Sequence, residues 1–176
     1  REEVEPRVES FLQSTAEEIS DLGPANQEVA QAVLESVENN LMALLNLKDE
    51  DEPDDQELPD AAVGYSIEDL LGFAAMAREA RTEVAEDRVE VDREQRVLDG
   101  ATRRRDAAFN EYFDASAGDE RWLAALRLVQ ARASQAISAR RLDLLTDRLD
   151  RHTEYANAVA ERVGIATERL EAAAAR

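Results

Sequence analysis

Leu70, Ala77, Val84, Val91, Leu98, Arg105 and Tyr112 recur at strict steps of seven. A seven-residue repeat of mainly apolar positions is what two helices need to share a seam, so this stretch constrains the fold more than any other. From Leu142 the pattern returns as Leu142, Leu145, Leu149, His152, Ala156, Val159, Val163, Ala166, Leu170 and Ala173. Steps that alternate three and four in this way describe a left-handed coiled coil. Between the two repeats lies Asp114-Ala115-Ser116-Ala117-Gly118-Asp119, small and polar enough to turn the chain. The spacing therefore predicts a long antiparallel coiled-coil hairpin, with helices over about 66–113 and 120–174 inside a unit spanning 66–176. Folding about 116–118 brings Leu98 towards Ile137, Val91 towards Leu144 and Ala77 towards Val159. The second set of seam positions on the first arm is read as Ala74, Arg81, Arg88, Gln95, Thr102 and Phe109, which makes the seam thin between Arg81 and Gln95.

Upstream, Val8, Phe11, Leu12, Ala16, Ile19 and Leu22 predict a helix over about 6–22, stopped by Gly23-Pro24. A second helix over about 26–48 carries Val29, Val33, Val37, Leu41, Leu44 and Leu45, widened by Leu34, Met42 and Leu47. It is the most hydrophobic of the four and is expected at the centre of the bundle. Residues 1–48 thus read as a short helical hairpin. Too short to line the whole long hairpin, it is expected at the base, near Leu70 and Val163, as a three- or four-helix bundle. Gly72, Gly100 and Gly164 are the points where the long helices could break, since glycine costs about 1 kcal/mol against alanine inside a helix. Ser66 and Asp69 form the expected capping pair of the third helix, and Asp119 the expected N-cap of the fourth.

Residues 49–65 form an acidic, proline-containing linker; eight of the twelve residues from Asp49 to Asp60 are acidic. An EF-hand loop counted from Asp49 would need glycine at its sixth position, where Asp54 stands.

The fold class is all-α: glycine and proline are scarce, aromatics are 5%, and 44% of the 176 residues are apolar, many of them alanine. The formal net charge of −19 disfavours nucleic acid as a partner, because a phosphate backbone would be repelled at long range. Lys48 is the only lysine; arginine in its place elsewhere, with abundant Asp and Glu, fits a GC-rich genome or a salt-loving organism. The absence of cysteine removes thiol chemistry and Cys-type metal sites. No apolar run is long enough to span a bilayer. The chain begins at Arg1, so a processed form or fragment is expected. A cytoplasmic setting is favoured over an envelope one, which would need a signal or anchor upstream of Arg1.

Nothing in the motifs supplies catalysis. His152 is the only histidine, it has Leu149 where a di-iron helix would carry an acid, and it reads as a register-setting residue. No nucleotide loop or nucleophile elbow occurs. No enzyme activity, cofactor, metal or small-molecule ligand is expected.

One asymmetry points to a partner. From Arg96 to Arg141 nine basic and six acidic residues give +3, leaving −22 elsewhere. The expected interaction tip comprises Arg103, Arg104, Arg105, Phe109, Tyr112, Phe113, Arg121 and Trp122. Arginines and aromatics are the residues that anchor interfaces. The leading reading is a non-enzymatic helical scaffold or protein-interaction module that binds a protein partner or itself. One alternative is a stalk or soluble domain of an envelope, secretion or membrane-anchored assembly. Long alanine-rich helices with small turns, together with Ala160-Glu161-Arg162-Val163-Gly164, loosely resemble the helical barrel of outer-membrane efflux ducts, but no alternating membrane strands accompany them. The other alternative is anionic-partner binding through the arginines.

Overall fold

The computed structural model describes residues 4–47 and 66–175. The acidic linker expected over 49–65 lies outside the described residues. Four helices and no strand are found among the described residues: α1 (Val4–Ile19), α2 (Pro24–Asn46), α3 (Ile67–Asp114) and α4 (Asp119–Ala174). Gly72 and Gly100 lie within α3 and Gly164 within α4, so both long helices pass through their glycines unbroken. Contacts divide the chain into two units that cut across the order of the helices. Of the described residues, unit 1 holds 4–47 and 94–142 and unit 2 holds 66–93 and 143–175.

In unit 1, α1 ends at Ile19, before the expected Leu22, because Ser20, Asp21 and Leu22 turn inward through amide bonds three residues back. The Gln27 side chain donates to the carbonyls of Ser20 and Leu22 (3.0 and 2.9 Å), satisfying acceptors that a helix end leaves open. Pro24 then starts α2 at a position where its missing amide is not needed. The core joins Ile19 of α1, Ala30 and Val37 of α2, and Leu123 and Leu126 of α4, with Phe11, Leu12, Val33 and Trp122 packed around them. Thr15 is buried in this unit because its hydroxyl donates to the Phe11 carbonyl (2.7 Å) and leaves only the methyl to pack.

This core corrects two expectations. The short helices pack beside the turn of the long hairpin, on Trp122–Val129, and not at the base near Leu70 and Val163. The reason is the width of the receiving face. Trp122, Leu123, Leu126 and Val129 offer large side chains to the α2 stripe, whereas the buried face of α4 in unit 2 is narrow and made of Ala156, Val159 and Ala166. Nor is α2 the centre: Val29 and Met42 are exposed and only Ala30 and Val37 are buried. The first half of α4 takes that place, touching α1 and α2 on one face and α3 on another.

On α3 the buried residues are Phe73, Ala77, Ala80, Val84 and Asp87 in unit 2, then Ala101 and Ala108 in unit 1. One heptad set is therefore covered as expected from Leu70 to Arg105, with Tyr112 exposed at its end, but its companion is displaced by one residue. It runs Phe73, Ala80, Asp87, Glu94, Ala101, Ala108 and Ala115, while Arg81, Arg88, Gln95 and Phe109 face solvent. The seam is interrupted in its middle by two acids, not by arginines and a glutamine. Opposed pairs show the antiparallel sense within each unit. Thr102 meets Gln135 and Glu111 meets Arg127 in unit 1, and Asp87 meets His152 and Glu90 meets Arg148 in unit 2, with numbers rising on α3 as they fall on α4 within each unit.

The turn after α3 places Gly118 at φ 91°, a region that a Cβ disfavours, and nothing lies within 4 Å of where that Cβ would be. Gly118→Ala is expected to destabilise by about 1 kcal/mol through backbone strain alone. Gly164, helical and also with open space around it, should gain about 0.5–1 kcal/mol on replacement by alanine. Urea denaturation of the two variants should therefore move in opposite directions.

At the start of α3 the Ser66 hydroxyl receives the Asp69 amide (3.1 Å) and both the Ser66 amide and hydroxyl donate to Asp69 Oδ2 (2.7 and 2.8 Å). This is the expected capping pair. The bond from the Ser66 amide, then that from its hydroxyl, hold the Asp69 carboxyl below its ordinary value of 3.8. A carboxyl depressed in the folded state stabilises above its unfolded pKa and ceases to do so as pH falls through the folded one. Amide protection in the first turn of α3 should accordingly be constant above about pH 5 and decline below the ordinary carboxylate value. Asp69→Asn should remove that pH dependence.

Candidate interaction surface

The eight residues expected at the tip separate into two groups. Trp122 is partly buried against α1, and its indole Nε1 donates to Glu18 Oε2 (2.8 Å). Arg121 donates to the Ala115 carbonyl (3.1 Å), closing the end of α3. Arg105 donates from Nε to Asp106 Oδ1 (3.0 Å) and from Nη1 to Gln135 Oε1 (3.2 Å), while Gln135 donates to Thr102 (3.1 Å). Arg105 and Arg121 hold the hairpin and its turn together, and Trp122 ties α4 to α1. Their neighbour Arg127 is likewise paired, with Glu111.

The second group faces water. Phe113 is 74% exposed, Phe109 48% and Tyr112 37%. Positions i, i+3 and i+4 share one helix face, so the three rings form a contiguous aromatic surface on the last turns of α3. Arg103 and Arg104 are exposed on the same helix and make no ion pair among the described residues. Sequence alone could not separate the groups, because α1, which claims Trp122, lies about 100 positions away in the chain.

The start of α4 is held by tertiary bonds. Asp119 Oδ2 accepts from Asn26 Nδ2 (3.1 Å) and the Gly23 amide (3.4 Å), tying α4 to the turn between α1 and α2. Glu120 Oε2 accepts from the Ser116 amide (3.2 Å). Asp119, expected as a local cap, is thus used across the unit.

In unit 2 a polar layer crosses the seam. Asp87, 5% exposed, accepts from Arg148 Nε at Oδ1 (2.9 Å) and meets His152 Nδ1 at Oδ2 (2.6 Å); Arg148 also pairs with Glu90. His152 does sit in the seam, but its partner Asp87 escaped the sequence reading. The signal was partial: moving the companion set back one residue replaces Arg81 by Ala80, but it exchanges Arg88 and Gln95 for the acids Asp87 and Glu94, which are no easier to bury. Among the described residues no group of three or more His, Asp or Glu side chains is placed to hold a metal ion. No helix among them is long and apolar enough to cross a membrane.

Comparison with protein-family models, with curated proteins and with solved structures gives no match for this chain. Its class is that of an all-α helical bundle.

Proposed function

We propose that the chain is a non-enzymatic helical scaffold or protein-interaction module that docks a protein partner through the aromatic end of α3. The observation that supports this is the surface of Phe109, Tyr112 and Phe113. Three rings on one face, left in water by a chain with only 5% aromatics, carry a solvation cost that binding would relieve. The polar layer at Asp87 reads as a structural device on this view, since its carboxylate and imidazole are committed to the seam.

A photo-reactive phenylalanine analogue at position 113, in the source cells, tests the proposal against the same analogue at Asp143, an exposed position in unit 2. A discrete adduct is expected at 113 and not at 143, and it should disappear when Phe109 and Tyr112 are both changed to serine. An adduct with a second copy of the chain would make self-association the mode of docking. No discrete adduct at 113 would overturn the proposal.

A further inference from the structure

Two clefts in unit 1 share α4 as a floor. One lies against α1 and is lined by Phe11, Ala125 and Val129, with Glu18 at one end. The other lies against α3 and is mainly polar, lined by Arg105, Asp106, Phe109, Leu128, Arg132 and Gln135, with Asp106 paired to Arg105. Ala125, Leu128, Val129 and Arg132 stand at i, i+3, i+4 and i+7, a single stripe along a helix. The two clefts flank one stripe of α4, apolar at Ala125, Leu128 and Val129 and cationic at Arg132, and are read together as a trough with α1 and α3 as walls.

We infer that this trough receives an amphipathic helix of a partner protein, about three turns long, with an acidic residue over Arg132. The inference rests on the interaction-module reading and adds the shape and charge of the partner. Length follows from the lining. Trp122, held to Glu18, and Arg132 are ten residues apart on α4, about 15 Å at 1.5 Å per residue, which spans roughly ten residues of a docked helix. Charge follows from the ends. Arg132 is exposed and makes no ion pair among the described residues, while Glu18 Oε2 accepts only the Trp122 indole there. An acid at one end of the helix and a neutral or basic residue at the other complement them. The walls add ring surface from Phe11 and Phe109, in the way that apolar anchors at i, i+4 and i+7 enter a groove between helices. A second copy is a poorer fit, since a twofold contact sets like surface on like and a trough does not fill a trough.

The test uses the full chain and two helix-stabilised 12-residue peptides with leucines at positions 2, 5 and 9. One ends in two glutamates and the other in two lysines. Trp122 is the only tryptophan and lines the trough, so its fluorescence reports occupancy directly. The glutamate peptide should bind, with amide shifts confined to α1, 105–113 and 122–135. Arg132→Glu should weaken it about tenfold without weakening the lysine peptide, and leucine-to-serine changes in the peptide should abolish binding. No saturable change in Trp122 fluorescence, shifts elsewhere on the chain, or equal loss of both peptides in Arg132→Glu would overturn the inference. A concentration-dependent dimer that Arg132→Glu dissolves would overturn it in favour of a second copy. Adducts at position 113 that persist undiminished in Arg132→Glu would also overturn it, while leaving the aromatic docking surface in place.

Discussion

Asp87→Ala is expected to destabilise unit 2 by about 3 kcal/mol, the lower end of the range for removing one partner of a buried ion pair. The side chain of Asp87 is 7% exposed and those of Arg148 and His152 are 24% and 22%, so water partly rescues the two bases once the carboxylate is gone. The loss still leaves a guanidinium and an imidazole in an apolar seam built around Ala80, Val84 and Ala156. Hydrogen exchange at amides of 73–84 and 149–166 measures it locally. Leucine at all three positions 87, 148 and 152 should restore stability to within about 1 kcal/mol, because an apolar layer carries no desolvation cost. A triple variant as unstable as Asp87→Ala would refute this account of the layer.

Leu126→Ala should cost unit 1 about 3 kcal/mol, within the range of 2–5 kcal/mol for deleting a buried leucine and leaving a cavity. Leu126 is 4% exposed and packs in the one cluster that joins α1, α2 and α4. Among the described residues no other apolar cluster joins those three helices, so the cavity cannot be closed without moving one of them. Trp122 borders the same cluster, and its emission should shift to the red at lower urea in the variant. A midpoint unchanged from the parent chain would show that the contact between α4 and the short helices contributes little to stability.

The seam shows how far the residue pattern reaches. One heptad set on α3 and the whole set on α4 are visible as apolar recurrences, because a helix that buries a face must repeat it every three to four residues. The companion set on α3 was not decided by recurrence. Ala74 and Phe73 are both apolar, Thr102 and Ala101 are both small, and only the position of the opposing helix selects between neighbours. That one-residue choice hid Asp87 and so hid the partner of His152.

The tip was legible as composition and not as geometry. Arginines and aromatics are visibly concentrated there, yet Arg105, Arg121 and Trp122 are taken up by Gln135, the Ala115 carbonyl and Glu18. Phe109, Tyr112 and Phe113 are the aromatic surface that remains.

By itself the sequence determined four helices, the turn at Gly118, the cap at Ser66 and Asp69, and the antiparallel pairing of the two long helices. These follow from short-range physics: periodic burial, capping bonds and the backbone freedom of glycine act within a few residues. Only the tertiary structure decided where α1 and α2 dock, which acid lies in the seam and which tip residues are left in water. Those outcomes depend on competition between distant faces of similar apolarity, and the width of the Trp122–Val129 face decided it.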